Sequence, residues 1–325
     1  MKQTFLIAFI TVLFWGCNSE NSKPTSLQTE TNTGNKFDKS KIEKHKLSLD
    51  TQNYSLVSID DLHERLTFKD YDKSLIDFIN SNPNKTDSTR KVVYILPFGN
   101  MKPEVEKIIH SEVKYLKAFL QLDVKILDRI PYDSIKKISS IQTRLVPNSD
   151  FEYYSKLKGG TPTLREQIQA NSFIDAVIKK NKPKDAVVVL GVTEHDIYNP
   201  NFNYLFGISD LRDGAGLVST FRLIDYGQET KYNIRKVVSK QIVNMFSIPN
   251  VKDYKCVMNF HNNIEELYYG KFDLSPRALE KLKYAIGFNY SKRFDDLSIF
   301  WTKENNSNEV KYYNECSRRI KKASH

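Results

Sequence analysis

The side chains that could do chemistry are few and scattered. Six histidines (His45, His63, His110, His195, His261 and His325) are dispersed over 325 residues. No pair shares an i, i+4 helix face, so no two imidazoles are spaced to grip one metal ion from a helix. Glu194-His195-Asp196 sets carboxylates beside an imidazole, which could supply a base or half a metal site. Adjacent loop residues rarely converge on one atom, however, and a solvent-facing or structural role is the expectation. Asp210, Asp213, Gly214 and Gly216 form an acidic, glycine-containing loop that could suit calcium. Its spacing is not that of an EF-hand, so it reads as a turn. Gly159-Gly160-Thr161-Pro162 lacks the Lys and following Ser of a phosphate loop and also reads as a turn. Ser219 has no nucleophile-elbow flank.

Of the three cysteines, Cys17 stands apart. Lys2 gives a positive start, and Phe5 to Trp15 is an almost unbroken apolar run. That run has the length of a signal-peptide core and falls short of a bilayer span. Phe14-Trp15-Gly16-Cys17 resembles a lipobox, the site at which a bacterial lipoprotein is cut and its new N-terminal Cys acylated. Phe14 departs from the usual Leu, and Trp15 is bulky for its place. A plain signal peptide with a chance Cys is the rival reading. Lipidation of Cys17 implies a membrane-anchored lipoprotein of the cell envelope, facing the periplasm or the outer surface. Each buried acyl methylene adds about 0.8 kcal/mol to such an anchor. Asn18 to about Ser48 is rich in Ser, Thr, Asn and Lys without hydrophobic period, which predicts a disordered tether. Cys256 and Cys316 could pair in an oxidising compartment or remain buried or free thiols. The net charge of +10 favours anionic surfaces. The lysines are scattered and no nucleic-acid motif occurs, so a nucleic-acid partner is not expected.

The elements that must position any site follow from periodicity. Leu56 to Asn80 reads as an interrupted helix closed by Asn82-Pro83-Asn84. Lys91 to Phe98 and Val124 to Leu127 read as strands. Pro103 to Leu120 has helical spacing, as does Leu164 to Lys180. Ala186 to Val192 is a fully apolar strand, and Leu217 to Leu223 alternates like a half-buried one. Ile234 to Ile248 reads as a helix stopped by Pro249-Asn250, with Ile234, Val237, Val238, Ile242, Met245 and Phe246 on one arc. This alternation predicts an α/β (α+β) fold. The organisation expected is a signal peptide over 1–16, a tether over 17–49, a helical extension over 50–90, a main domain over 91–288 and a polar surface extension over 289–325.

Between Leu164 and Leu279 the order of motifs carries a resemblance. Leu164-Arg165-Glu166-Gln167 leads to Val187–Thr193, then to Asp196-Ile197-Tyr198, Asn203–Gly207, Gly216–Ser219 and Arg222-Leu223. Cys256-Val257-Met258 follows, then Ser275-Pro276-Arg277-Ala278. This order resembles the archaemetzincins, which share the metzincin motif H-E-x-x-H-x-x-G-x-x-H and its Met-turn. The resemblance implies a mixed, mostly parallel twisted sheet with packed helices and a smaller part after the Met-turn. It makes Met258 the Met-turn residue. Counting back by the family spacing puts Lys240, Gln241, Asn244, Ser247 and Asn250 at the places of first His, Glu, second His, Gly and third His. Val251 stands at an additional family Cys. Ser275 and Ala278 replace the cysteines of a C-P-R-C pair, so the second, structural zinc site is missing too. The substrate edge would be Leu217 to Arg222, with Leu217, Val218 and Ser219 as its candidate contacts.

Zinc takes imidazole, thiolate or carboxylate donors. A lysine ammonium repels it, a carboxamide is a poor ligand, and Gln cannot serve as the base. The resemblance therefore implies a pseudopeptidase with no resident cofactor and a cleft kept as a peptide- or protein-binding or scaffolding surface. Two alternatives stand beside it. One is an active zinc peptidase with another ligand set, such as Glu194, His195 and His261. The other is a structural envelope protein without peptidase ancestry.

Overall fold

Eight consecutive buried positions, Ala186–Thr193, form the strand around which the rest is built. Such a run fits only a strand covered on both faces. The computed structural model describes residues 74–148, 163–224, 227–252 and 254–323. The signal-peptide segment, Cys17, the tether, the first part of the 50–90 extension and the turn at Gly159–Pro162 lie outside the described residues.

The strands are β1 (Val92–Pro97), β2 (Asp123–Ile126), β3 (Thr143–Pro147), β4 (Leu164–Gln169), β5 (Ala186–Thr193), β6 (Asp196–Asn199), β7 (Phe202–Leu205), β8 (Gly207–Asp210) and β9 (Ala215–Ser219). The helices are α1 (Leu75–Asn80), α2 (Pro103–Leu120), α3 (Tyr132–Lys136), α4 (Ala170–Phe173), α5 (Gln228–Asn244), α6 (Ile264–Tyr268), α7 (Pro276–Ile286), α8 (Tyr290–Lys303) and α9 (Ser307–Ala323). A π turn over Ile174–Ile178 and a 3-10 turn over Lys179–Asn181 continue α4. One sheet has the order β2-β1-β5-β9-β8, parallel except where β8 pairs antiparallel with β9. A second sheet, β3-β4-β6-β7, is parallel only between β4 and β6. The mixed α/β architecture with packed helices is the one expected, with a second sheet added. No described helix is long and apolar enough to cross a membrane.

Two apolar layers flank the larger sheet. Val93, Ile95, Leu190 and Val192 pack with α2 and α5, whereas Tyr94, Leu96 and Val189 pack with Phe173, Ile174 and Val177. Gly191 lets the second layer close, because a Cβ there would stand 2.6 Å from Ile178 Cδ1.

Three sequence expectations need correction. Leu164 to Gln169 is a strand, and helix begins only at Ala170. Its residues are good helix formers, but propensity is a weak prior. Here Arg165 and Gln167 alternate to the face that holds Asp196, while Ile168 enters the core. Ala215–Ser219 is buried at every position and a turn follows at once, so Leu217 to Leu223 is not a half-buried strand. The segment after Phe288 is two helices packed into the core, not a surface extension. Phe294, Leu297 and Trp301 of α8 and Tyr313 and Cys316 of α9 are all buried there. Their stripe is narrow and lies among charges, which hides it in a composition count.

A buried ion pair ties three helices together. Arg235 of α5 reaches Glu112 of α2 at 2.7 Å, both essentially without exposure, and its guanidinium lies 5.0 Å from the Trp301 ring of α8. Arg293 of α8 donates from Nε to the Phe119 carbonyl at 2.7 Å.

Candidate functional site

The last turn of α5 carries the positions where a metzincin would hold its metal. Lys240 extends its ammonium to the Asn259 carbonyl at 2.8 Å and lies 5.3 Å from the Phe260 ring. Gln241, 6% exposed, accepts at Oε1 from Ser209 Oγ at 2.7 Å. Asn244, also buried, donates from Nδ2 to the Ile248 carbonyl at 2.7 Å. Asn250 is exposed on the loop that follows. A cationic amine and carboxamides committed to backbone and hydroxyl partners do not fit a zinc ion. Among the described residues no group of three or more His, Cys, Asp or Glu side chains could hold a metal ion.

The backbone turns sharply just beyond these side chains. Ser247, at the place of the motif's glycine, has φ +64°. That left-handed conformation is one glycine adopts cheaply and other residues seldom do. Its hydroxyl compensates by donating to the Leu211 carbonyl at 2.6 Å and accepting from Asn84 N–H at 3.0 Å. Beyond it, Val251 N–H donates to the Met258 carbonyl at 3.0 Å, closing the bend that buries Met258 completely.

Asn259, which sequence reasoning passed over, clasps this bend. Its Oδ1 accepts from Cys256 N–H at 2.8 Å, and its Nδ2 donates to the carbonyls of Val251 (2.9 Å) and Tyr254 (2.7 Å). An Asn directly after Cys256-Val257-Met258 was the available signal, since Asn side chains commonly bond nearby backbone. Where the resemblance would place a second zinc site, Val251, Cys256, Ser275 and Ala278 are all buried. Ser275 caps α7 through Ala278 N–H at 3.3 Å. Burial pushes the Cys256 thiol up to about 12, and that of Cys316 up to about 11. Both are free thiols rather than partners in a disulfide.

The substrate edge expected at Leu217, Val218 and Ser219 is corrected. β9 lies between β5 and β8, so its peptide groups are already paired on both sides. The turn at Arg222 follows, and Ser219 Oγ donates to the His195 carbonyl at 2.7 Å. The edge is β8. Ser219 N–H bonds the Phe206 carbonyl at 2.9 Å. The antiparallel alternation therefore turns the peptide groups of Gly207 and Ser209 away from β9. Beside this edge a cavity of about 310 Å³ is lined by Phe202, Ile208, Lys240, Gln241, Asn244 and Phe260, among others. Gly207 permits the approach of α5, since a Cβ there would meet Gln241 Cγ at 2.9 Å.

The alternative ligand set is not assembled. Glu194 accepts from Lys102 N–H at the start of α2. His195 stacks on Tyr132 with ring centroids 4.0 Å apart, and burial lowers its pKa while the Glu166 charge opposes that shift. His261 lies instead against Gly270. The acidic loop is a turn in which Lys179 Nζ meets Asp210 (2.8 Å), Asp213 (2.5 Å) and Asp175 (2.9 Å), so an ammonium holds the place of a cation.

No family model matches the chain. Archaemetzincin of Pyrococcus furiosus is 23% identical over 208 residues, which are 62% of this chain and 97% of that protein. Human Archaemetzincin-2 is 24% identical over 273 residues, 74% of this chain and 70% of its own length. Among solved structures, archaemetzincin of Methanopyrus kandleri is 20% identical, covering 61% of this chain and 96% of its own, with a TM-score of 0.44. With such relatives along most of its length, the chain is archaemetzincin-like.

Proposed function

We propose that this archaemetzincin-like protein is a non-catalytic lipoprotein, a pseudopeptidase whose cleft binds an extended peptide or protein segment. One observation supports the loss of catalysis: Lys240 Nζ, Gln241 Oε1 and Asn244 Nδ2 each bond a partner within the fold. No resident cofactor is needed by this reading, and zinc enters only if some other ligand set exists. Retention of the cleft is supported by the outward peptide groups of β8, which could pair with an extended segment without any metal. The anchor would be Cys17, placing the domain in the cell envelope at the end of a tether.

Elemental analysis of the purified full-length protein in detergent is expected to find zinc far below one equivalent, with no peptide cleavage. One equivalent of zinc, removable by chelation together with activity, overturns the reading. Peptide-library capture is expected to return segments whose binding is abolished by backbone N-methylation at alternate residues. Mass spectrometry is expected to find an acylated N-terminal Cys17 peptide that Cys17→Ser eliminates.

A further inference from the structure

Beyond the cleft, one face of the smaller sheet carries more arginines than acids. Asp196, 2% exposed, accepts from Arg165 Nε at 3.0 Å and from Arg222 Nε at 3.1 Å and Nη2 at 2.9 Å. Gln167 Nε2 adds a fourth bond at 2.7 Å. One carboxylate thus serves two guanidinium groups. Arg144 is a third, and its Nε and Nη2 donate to Gln167 Oε1 (2.8 Å) and the Asn203 carbonyl (2.7 Å), neither of them charged. The ladder places Arg144, Gln167 and Asp196 side by side across β3, β4 and β6. Their neighbours Ile168 and Ile197 enter the core. Among the described residues the face therefore holds two more guanidinium groups than carboxylates, and no ordinary pH discharges a guanidinium.

These guanidinium groups are held rather than floating. Arg144 lies 3.9 Å over the Tyr198 ring, Arg222 4.0 Å over Tyr204 and Arg165 5.1 Å over Phe221. Each keeps one terminal nitrogen without a hydrogen bond among the described residues: Nη1 of Arg144, Nη2 of Arg165 and Nη1 of Arg222. A stacked guanidinium, already fixed along one side, can accept a planar carboxylate with little further loss of rotamer freedom. The face also adjoins the cleft. Tyr204 lines the smaller cavity beside Lys240, and β7 ends one residue before β8 begins. A segment laid along β8 and on past β7 would bring its side chains beside Arg222.

We infer that this arginine–aromatic face selects the occupant of the cleft, and that the occupant is an extended peptide segment bearing Asp or Glu side chains. The inference rests on the peptide-binding reading of the cleft and adds to it the charge of the ligand.

The test uses full-length protein in detergent and three labelled peptides of equal length that are acidic, neutral or basic, read by fluorescence anisotropy. The acidic peptide is expected to bind at least about tenfold more tightly than the neutral one, as charged hydrogen bonds warrant. That advantage is expected to fall with added salt. Arg144→Gln, which leaves the partners of Asp196 in place, and Arg222→Gln should each remove most of the acidic peptide's advantage and leave the neutral peptide unchanged. Arg144→Lys should restore it only in part. Unaltered thermal unfolding would confirm that the variants fold. Equal affinity for all three peptides, or variants without effect, overturns the inference while the peptide-binding cleft stands. Binding of none of them overturns both. Preference for phosphatidylglycerol vesicles over the acidic peptide, lost in Arg144→Gln, also overturns it, because the face would then read lipid.

Discussion

Ser209 Oγ sits 2.7 Å from Gln241 Oε1 and 2.9 Å from the Gln241 carbonyl oxygen, joining the edge strand β8 to the helix that would carry a metzincin's catalytic glutamate. Gln241 thus works as a structural link between strand and helix. This linkage should be measurable. Gln241→Ala and Ser209→Ala should each cost about 1–2 kcal/mol in urea unfolding, the usual range for a buried hydrogen bond with one partner removed. In a double-mutant cycle the two losses should overlap by about 1 kcal/mol. Strict additivity would mean that the contact contributes nothing.

The Arg235–Glu112 pair predicts a larger asymmetry. Arg235→Met leaves Glu112 buried without its counter-charge and should destabilise the protein by about 3–5 kcal/mol. Adding Glu112→Leu to Arg235→Met should recover most of that loss. Thermal unfolding of the single and double variants decides it, and a double variant no better than the single would refute it.

At the bend after α5, Asn259→Ala removes one acceptor and two donated bonds and should cost about 2–3 kcal/mol. Asn259→Asp keeps the acceptor to Cys256 N–H but faces two carbonyls with a carboxylate, so it should recover little. Met258→Ala should cost about 2–5 kcal/mol through the cavity it leaves.

Stability should also respond to pH through Asp273 and Glu309. Burial pushes Asp273 up to about 6, although Tyr312 donates to its Oδ2 at 3.0 Å. Burial, with the Asp273 charge adding to it, pushes Glu309 up to about 7. Both folded values lie above the unfolded ones, so the fold binds protons more tightly than the unfolded chain. Their contribution is present below the unfolded pKa values and is lost as pH rises through about 6 to 7. Asp273→Asn and Glu309→Gln should therefore gain stability relative to wild type as pH rises from about 5 to 8. Parallel urea midpoints for variant and wild type across that window would contradict this.

The parts of the fold legible in the sequence are those whose burial is continuous or strictly periodic. Val92–Pro97 and Ala186–Thr193 are apolar at nearly every position, and Pro103–Leu120 repeats its apolar residues at helical spacing. Leu164–Gln169 is opaque in the sequence because Gln167, on the face away from the core, is polar by type and buried beside Asp196, to which it donates. The edge role of β8 was hidden for a related reason. Gly-Ile-Ser-Asp has little strand character, and only the pairing of Gly207 with Val218 reveals which strand lies outermost. At the site, the case against a metal rests on residue identity, since the chemistry of Lys240 and Asn244 does not depend on their surroundings. The hold of Asn259 on the bend was not legible, because it depends on three backbone groups that approach one another only in the folded chain.

Ser247 carries a consequence for how this loop could evolve. Its left-handed backbone would relax if the residue became glycine, yet the same change would cut the hydroxyl's ties to Leu211 and Asn84. Strain and tether are thus bound up in one side chain. Replacing Ser247 by glycine would ease the backbone and at the same stroke loosen the join between the segment at Asn84 and the sheet edge at Leu211, so the position can be relaxed only by giving up a long-range contact.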